Sequence, residues 1–133
     1  MKFLRLTAIS LTAAIALTAC VSSGGLAGYN YSGSWAGAIE DSVAGSGSVT
    51  VTVTQSGADL AGTWQAVFDS GTNGGSAIGI VNGSQVVLEL QPASATACPY
   101  NVVATRSGDT LSGNYSAFSC SISITGTLSI TKQ

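Results

Sequence analysis

Histidine is absent from the 133 residues, and charge of either sign is scarce, at four lysines and arginines against six acids. Without an imidazole, base chemistry falls to Glu40, Asp41, Asp59, Asp69, Glu89 and Asp109, which scatter over expected turns and solvent faces. No hydrolase motif, metal-binding motif or C-x-x-C accompanies them. The sequence therefore predicts neither an enzyme nor a cofactor. Asp41 and Asp69 fall in neighbouring expected loops and could touch a cation, but a single pair is weak evidence beside the plainer reading of both as solvated turn residues. Lys and Arg are nowhere clustered, which argues against nucleic acid and against anionic membrane surfaces held by charge as partners. The longest apolar run, from Leu6 to Leu17, is too short to span a bilayer.

What is present begins with that run. Lys2 and Arg5 precede it and small residues end it, which is the order of a secretory signal. Its last four residues, Leu17-Thr18-Ala19-Cys20, resemble the bacterial lipobox. The resemblance implies cleavage before Cys20, a thioether to diacylglycerol on its sulfur and acyl chains of the palmitate kind. It also implies a lipid-anchored place in the cell envelope. Val21 stands where many retained inner-membrane lipoproteins carry aspartate, which by the same resemblance suggests the outer membrane of a diderm source. An ordinary signal peptide cleaved beside a cysteine that later pairs or stays free is the competing reading. Cysteine parity favours acylation, because removing Cys20 leaves Cys98 and Cys120, an even count in an oxidising compartment. The chain thus divides into a signal at 1–19, a lipidated flexible tether at 20–30 and one domain at 31–133. Only Arg106 and Lys132 remain as bases after cleavage.

From Tyr31 onward the pattern has period two. In "SVTVTVTQ" Val49, Val51 and Val53 share one face and Thr50, Thr52 and Thr54 the other. In "SISITGTLSITK" Ile122, Ile124, Leu128 and Ile130 oppose Ser123, Thr125, Thr127 and Ser129. Eight strands are expected, at 32–40, 48–55, 59–68, 77–81, 85–91, 99–105, 110–117 and 121–132. Tight hairpin signals fall at 55–58, 82–83 and 106–109, while 41–47, 69–76, 91–98 and 118–121 read as longer loops at the opposite end. A meander of this kind must bury its apolar face on itself. The expected fold is an all-β, eight-stranded antiparallel up-and-down barrel, whose closure removes both sheet edges. The tether enters at the tight-turn end, which leaves the loop end facing away from the membrane.

An internal repeat agrees. Residues 51–66, "VTVTQSGADLAGTWQA", align without a gap to 102–117, "VVATRSGDTLSGNYSA", with seven identities and Trp64 meeting Tyr115. In both copies a glycine stands two residues before the large ring (Gly62, Gly113), as Gly33 does before Trp35. A strand glycine permits the bend that a small barrel needs, and the ring covers the gap. Gly33-Ser34-Trp35 and Lys132 beyond the last strand resemble the calycin group of lipocalins, avidins and bacterial metalloprotease inhibitors. That resemblance implies a tryptophan closing the barrel base, with a basic residue packed across it.

The expected inward positions are Ile39, Val51, Val53, Phe68, Ile80, Leu88, Leu90, Val102 and Ile124, all without charge, so an internal ligand would be apolar. Trp35, Trp64, Phe68, Tyr100 and Tyr115 are the candidate ligand contacts; plain packing of the barrel interior is the alternative. Counting back from the turn near Gly108 brings Cys98 within a residue or two of Cys120, so a disulfide is expected. Two functions remain open. One is a non-catalytic, membrane-anchored module binding a small apolar ligand or glycan at the barrel mouth. The other binds an envelope protein, for example as a periplasmic enzyme inhibitor, through the long loops. A Cys20→Ser protein is expected to escape lipoprotein processing. Detergent partitioning and incorporation of labelled fatty acid measure this, and retention of both would refute the lipobox reading.

Overall fold

The computed structural model describes residues 28–133; the signal segment and Cys20 lie outside the described residues. Eight strands follow in order: β1 (Gly33–Asp41), β2 (Gly45–Ser56), β3 (Asp59–Phe68), β4 (Gly71–Asn82), β5 (Gln85–Pro92), β6 (Tyr100–Ser107), β7 (Thr110–Ala117) and β8 (Thr125–Lys132). Each pairs antiparallel with the next, and β1 returns to β8, opposing Trp35 to Lys132 and Ile39 to Leu128. The result is a closed up-and-down barrel, with no helix among the described residues. Period-two alternation puts the Thr and Ser of β2 and β8 outside and their Val, Leu and Ile inside. Ile39, Val51, Val53, Leu88, Leu90, Val102 and Ile124 are buried as expected, and Phe68 is half-buried. Burial of each such side chain contributes about 1.5–3 kcal/mol.

At one end the connections 57–58, 83–84 and 108–109 are alike. Gly57, Gly83 and Gly108 stand first in each with φ of 62°, 61° and 60°. That is the glycine-first arrangement of a type II′ hairpin, whose twist matches the flanking strands. The other end departs from expectation. The loops read at 41–47 and 69–76 shrink to turns at 42–44 and 69–70, because Gly45–Gly47 and Gly71–Ser76 belong to the sheet. Their small residues lack strand propensity, but the ladder accepts them: Gly47 lies opposite Phe68, and Gly74 opposite Gln65. Only 93–99 and 118–124 remain long.

Two corrections of facing follow. Ile80, expected inside, is 59% exposed. Buried Leu60 pairs with Gly79, which turns Gly79 and Ala77 inward and puts Ile78 and Ile80 outside. In isolation the run "AIGIV" carries no parity of its own. At the far end β8 starts at Thr125, so Ile122 lies in the preceding loop and is exposed, while Ile124 is buried.

The two repeat hairpins share one register. Val51 faces Trp64 and Val53 faces Gly62 in β2–β3; Val102 faces Tyr115 and Ala104 faces Gly113 in β6–β7. The glycines are obligatory at these crossings. A Cβ at Gly62 would lie 1.8 Å from the Thr52 carbonyl oxygen, and one at Gly113 would lie 2.0 Å from that of Val103. Cys98 and Cys120 form a disulfide, with Cα atoms 5.7 Å apart, that ties the two long loops together. Closing a loop of this size contributes about 3 kcal/mol in the chain-entropy view. Gly62→Ala is expected to destabilise the barrel by about 1–3 kcal/mol through overpacking against backbone. A urea midpoint equal to that of the parent protein would show that the strands part there without cost.

Candidate functional site

Three aromatic side chains meet at the loop end. Trp64 (β3) and Tyr115 (β7) occupy equivalent places in the two repeat hairpins, and Tyr100 at the start of β6 stands between them. Its ring makes edge contacts with both, at 6.0 Å to Trp64 and 5.6 Å to Tyr115 between centroids. Phe68, Asp41 and Asn73 complete the lining above an aliphatic floor.

Tyr115 and Trp64 use their polar atoms internally. Tyr115 Oη–H donates to Asp41 Oδ2 at 2.5 Å, and the Trp64 indole donates to the Gln91 carbonyl at 3.4 Å. Asp41 Oδ1 accepts from the backbone N–H groups of Val43 and Ala44, at 2.8 and 2.9 Å, which folds the β1–β2 turn over the carboxylate. Burial by itself pushes the Asp41 carboxyl up, but the bonds from Tyr115, Ala44 and Val43 outweigh it and hold the group below its ordinary value. Both phenols are raised, chiefly by burial and then by the Asp41 carboxylate; on Tyr100 the neighbouring Asn73 side chain works the other way. A lowered carboxyl with three donors is a weak base, and raised phenols are weak acids. The cluster is suited to packing and orientation rather than to proton transfer.

Its cavity is small, about 40 Å³. A single water needs roughly 10–15 Å³ by this measure, whereas pockets for drug-sized ligands run to roughly 300–1,000 Å³. The interior is therefore filled by side chains.

Of the five sequence candidates, Trp64, Phe68, Tyr100 and Tyr115 come together and Trp35 does not. Trp35 closes the opposite end, 1% exposed, with its indole donating to the Tyr31 carbonyl at 3.0 Å. Tyr31 stacks on it and donates to the Gly83 carbonyl. Tyr29 and Asn30, grouped with the tether in the sequence reading, are instead fastened to this base. Tyr29 donates to Asp109 at 2.6 Å beneath the Arg106 guanidinium, and Lys132 donates to the Asn30 carbonyl. Lys132 also sits 5.1 Å from the centroid of Tyr29. A closed eight-stranded barrel with tryptophan at its base is compatible with the calycin group.

Sequence reasoning missed Asp41 as the partner of Tyr115, and Gly126 as the bare site under that ring, where a Cβ would lie 2.2 Å from Tyr115 Cζ. The available signal for Asp41 was an aspartate ending a strand before a tight turn, where its side chain caps backbone N–H groups. Tyr115→Phe is expected to cost about 1 kcal/mol at pH 7, as the partly solvated charged bond is lost. A carboxyl lowered by folding stabilises the native state above its unfolded pKa and ceases to do so as pH falls through the folded value. The gap between parent and variant should therefore shrink below about pH 4. Urea titrations at several pH values measure this, and a gap unchanged down to pH 2 would refute the Asp41 assignment. No protein-family model and no curated protein matches this chain, so its functional reading rests on its own residues and geometry.

Proposed function

We propose that this chain is a non-catalytic, lipid-anchored module of the bacterial cell envelope that binds a protein partner with the rim at the loop end of its barrel. Acylation of Cys20 holds the base toward the membrane. Val21 points to the outer membrane where the source has one. The observation that carries the choice of partner is the filled interior: with about 40 Å³ free, the barrel has no room to carry a ligand inside, and recognition falls to the surface.

The rim is suited to that role. The Cys98–Cys120 bridge joins its two long loops and limits the entropy lost on binding. Val43 and Ile122 are 66% and 55% exposed there. Their segments are joined through Ser42, whose N–H donates to the Thr125 carbonyl and whose hydroxyl accepts from the Thr125 N–H. Glu40, Asp41 and Asp69 lie at this end, while Arg106 and Lys132 both lie at the base. A partner with apolar and cationic surface fits the rim.

The second reading, a small apolar ligand or glycan at the mouth, keeps one supporting observation. Tyr100 is only half-buried, lines the cavity and contacts both Trp64 and Tyr115, so an aromatic surface is accessible at the mouth. Native mass spectrometry of the soluble form lacking residues 1–20 separates the readings. A co-purifying small molecule lost in Trp64→Ala would favour the mouth. Under the protein-binding reading, a Val43→Asp, Ile122→Asp double variant should lose partner cross-links in the envelope. Its urea midpoint should stay near the parent's, because both side chains are exposed. Undiminished cross-linking in the folded variant would refute the rim as the binding surface.

A further inference from the structure

The outer wall of the barrel is uneven. On β2 the outward positions are Ser46, Ser48, Thr50, Thr52 and Thr54, and on β8 they are Thr125, Thr127, Ser129 and Thr131; β7 presents Ser112, Asn114 and Ser116. On β4, β5 and β6 the pattern breaks. Ile78, Ile80, Val87 and Val103 face outward, 43–59% exposed. Ile80 pairs with Val87 and Val87 with Val103, so three aliphatic side chains form one row across three adjacent strands, with Ile78 beside it. Direct cross-strand neighbours of this kind lie about 5 Å apart and make a continuous surface. Nothing inside the barrel uses them.

We infer that this wall rests on the phospholipid bilayer, so that the anchored barrel lies tilted with its base and the β4–β6 face against the membrane. The inference depends on the acylation of Cys20 proposed above. Three observations select the bilayer as the occupant. First, the row begins at the correct end: Ile80 and Val87 each stand two residues from the ends of the β4–β5 hairpin, whose turn at Gly83 accepts from Tyr31 in the base. Second, the tether is pinned to that same base by Tyr29 and Asn30. From Gly28 to Cys20 the chain reaches no more than about 28 Å when fully extended. An anchored lipid therefore confines the base, where the aliphatic row begins, to within that reach of the bilayer, with the rim as the more distant end. Third, a second copy of the chain is a poor occupant, since four half-exposed aliphatic side chains fall well short of the roughly 800 Å² per partner of a stable interface.

The wall is also chemically fit for an interface. Barrel closure leaves no unpaired strand edge, so approach to lipid strands no backbone donor or acceptor. Asp59 and Glu89 border the row opposite Ile80 and Ile78, and their carboxylates limit contact to the headgroup boundary. The tilt leaves the rim in solvent.

A photoreactive benzoylphenylalanine placed at Val87, and separately at Thr50 on the Ser/Thr wall, tests this in envelopes of cells making the full chain. Intact mass after irradiation should show phospholipid adducts several-fold more abundant from position 87 than from 50, with acyl mass on Cys20 and the Cys98–Cys120 bridge present in both. Equal adducts in acylated protein, or cross-links from position 87 chiefly to protein or to a second copy, would overturn the wall contact while leaving the anchor standing. Absence of acyl mass on Cys20 would overturn the anchor and the wall contact together. Should the probe at 87 prevent formation of the bridge, the same comparison is made between Val103 and Thr127, with the same outcomes deciding.

Discussion

The return of β1 to β8 is the constraint on which the rest of this structure depends. Seven residue pairs, from Trp35 with Lys132 to Asp41 with Gly126, close the sheet on itself. Closure makes the concave face an interior, satisfies the edge strands and obliges every strand to coil tightly. The glycine at Gly37 follows from it directly, since a Cβ there would lie 2.0 Å from the Ser129 carbonyl across the closing pair. Gly62 and Gly113 meet the same demand on opposite sides of the barrel.

A barrel this narrow leaves a choice between packing and hollowness, and here packing prevails. The rings provided by the repeat, Trp64 and Tyr115, fill the upper interior with Tyr100, and Trp35 with Tyr31 fills the base. Each end is then sealed by a polar clamp: Tyr115 on Asp41 above, and Tyr29 on Asp109 under Arg106 below. With the interior filled, the remaining chemistry lies on the rim and the outer walls. Those surfaces differ by direction, with acids and two aliphatic side chains at the rim, Ser and Thr on one wall and aliphatic residues on another.

Strand parity accounts for how much was legible beforehand. Where several β-branched residues alternate with Thr or Ser, as in β2, facing is readable from the chain alone, because each position repeats the same vote. Where glycine interrupts the alternation, as in β4, the vote is lost. Ile80 then takes its side from Leu60 and Val87 on neighbouring strands rather than from its own sequence neighbours. The glycine-rich segments 45–47 and 71–76 look like loops for a related reason: propensity is low, and only the partner strand makes them sheet. The tyrosine clamp was illegible because Asp41 and Tyr115 are 74 residues apart and meet only on closure.

The sequence by itself determined the all-β class, the number and order of the strands, the three tight turns, the twin hairpins and the pairing of Cys98 with Cys120. These are written in local periodicity, in turn glycines and in an offset that any chain copy preserves. The tertiary structure alone decided that the interior is full, that Tyr100 brings Trp64 and Tyr115 together at the loop end, and that an aliphatic row faces outward on β4–β6. Each of these depends on register between strands and on the radius of the closed barrel, which no single strand encodes.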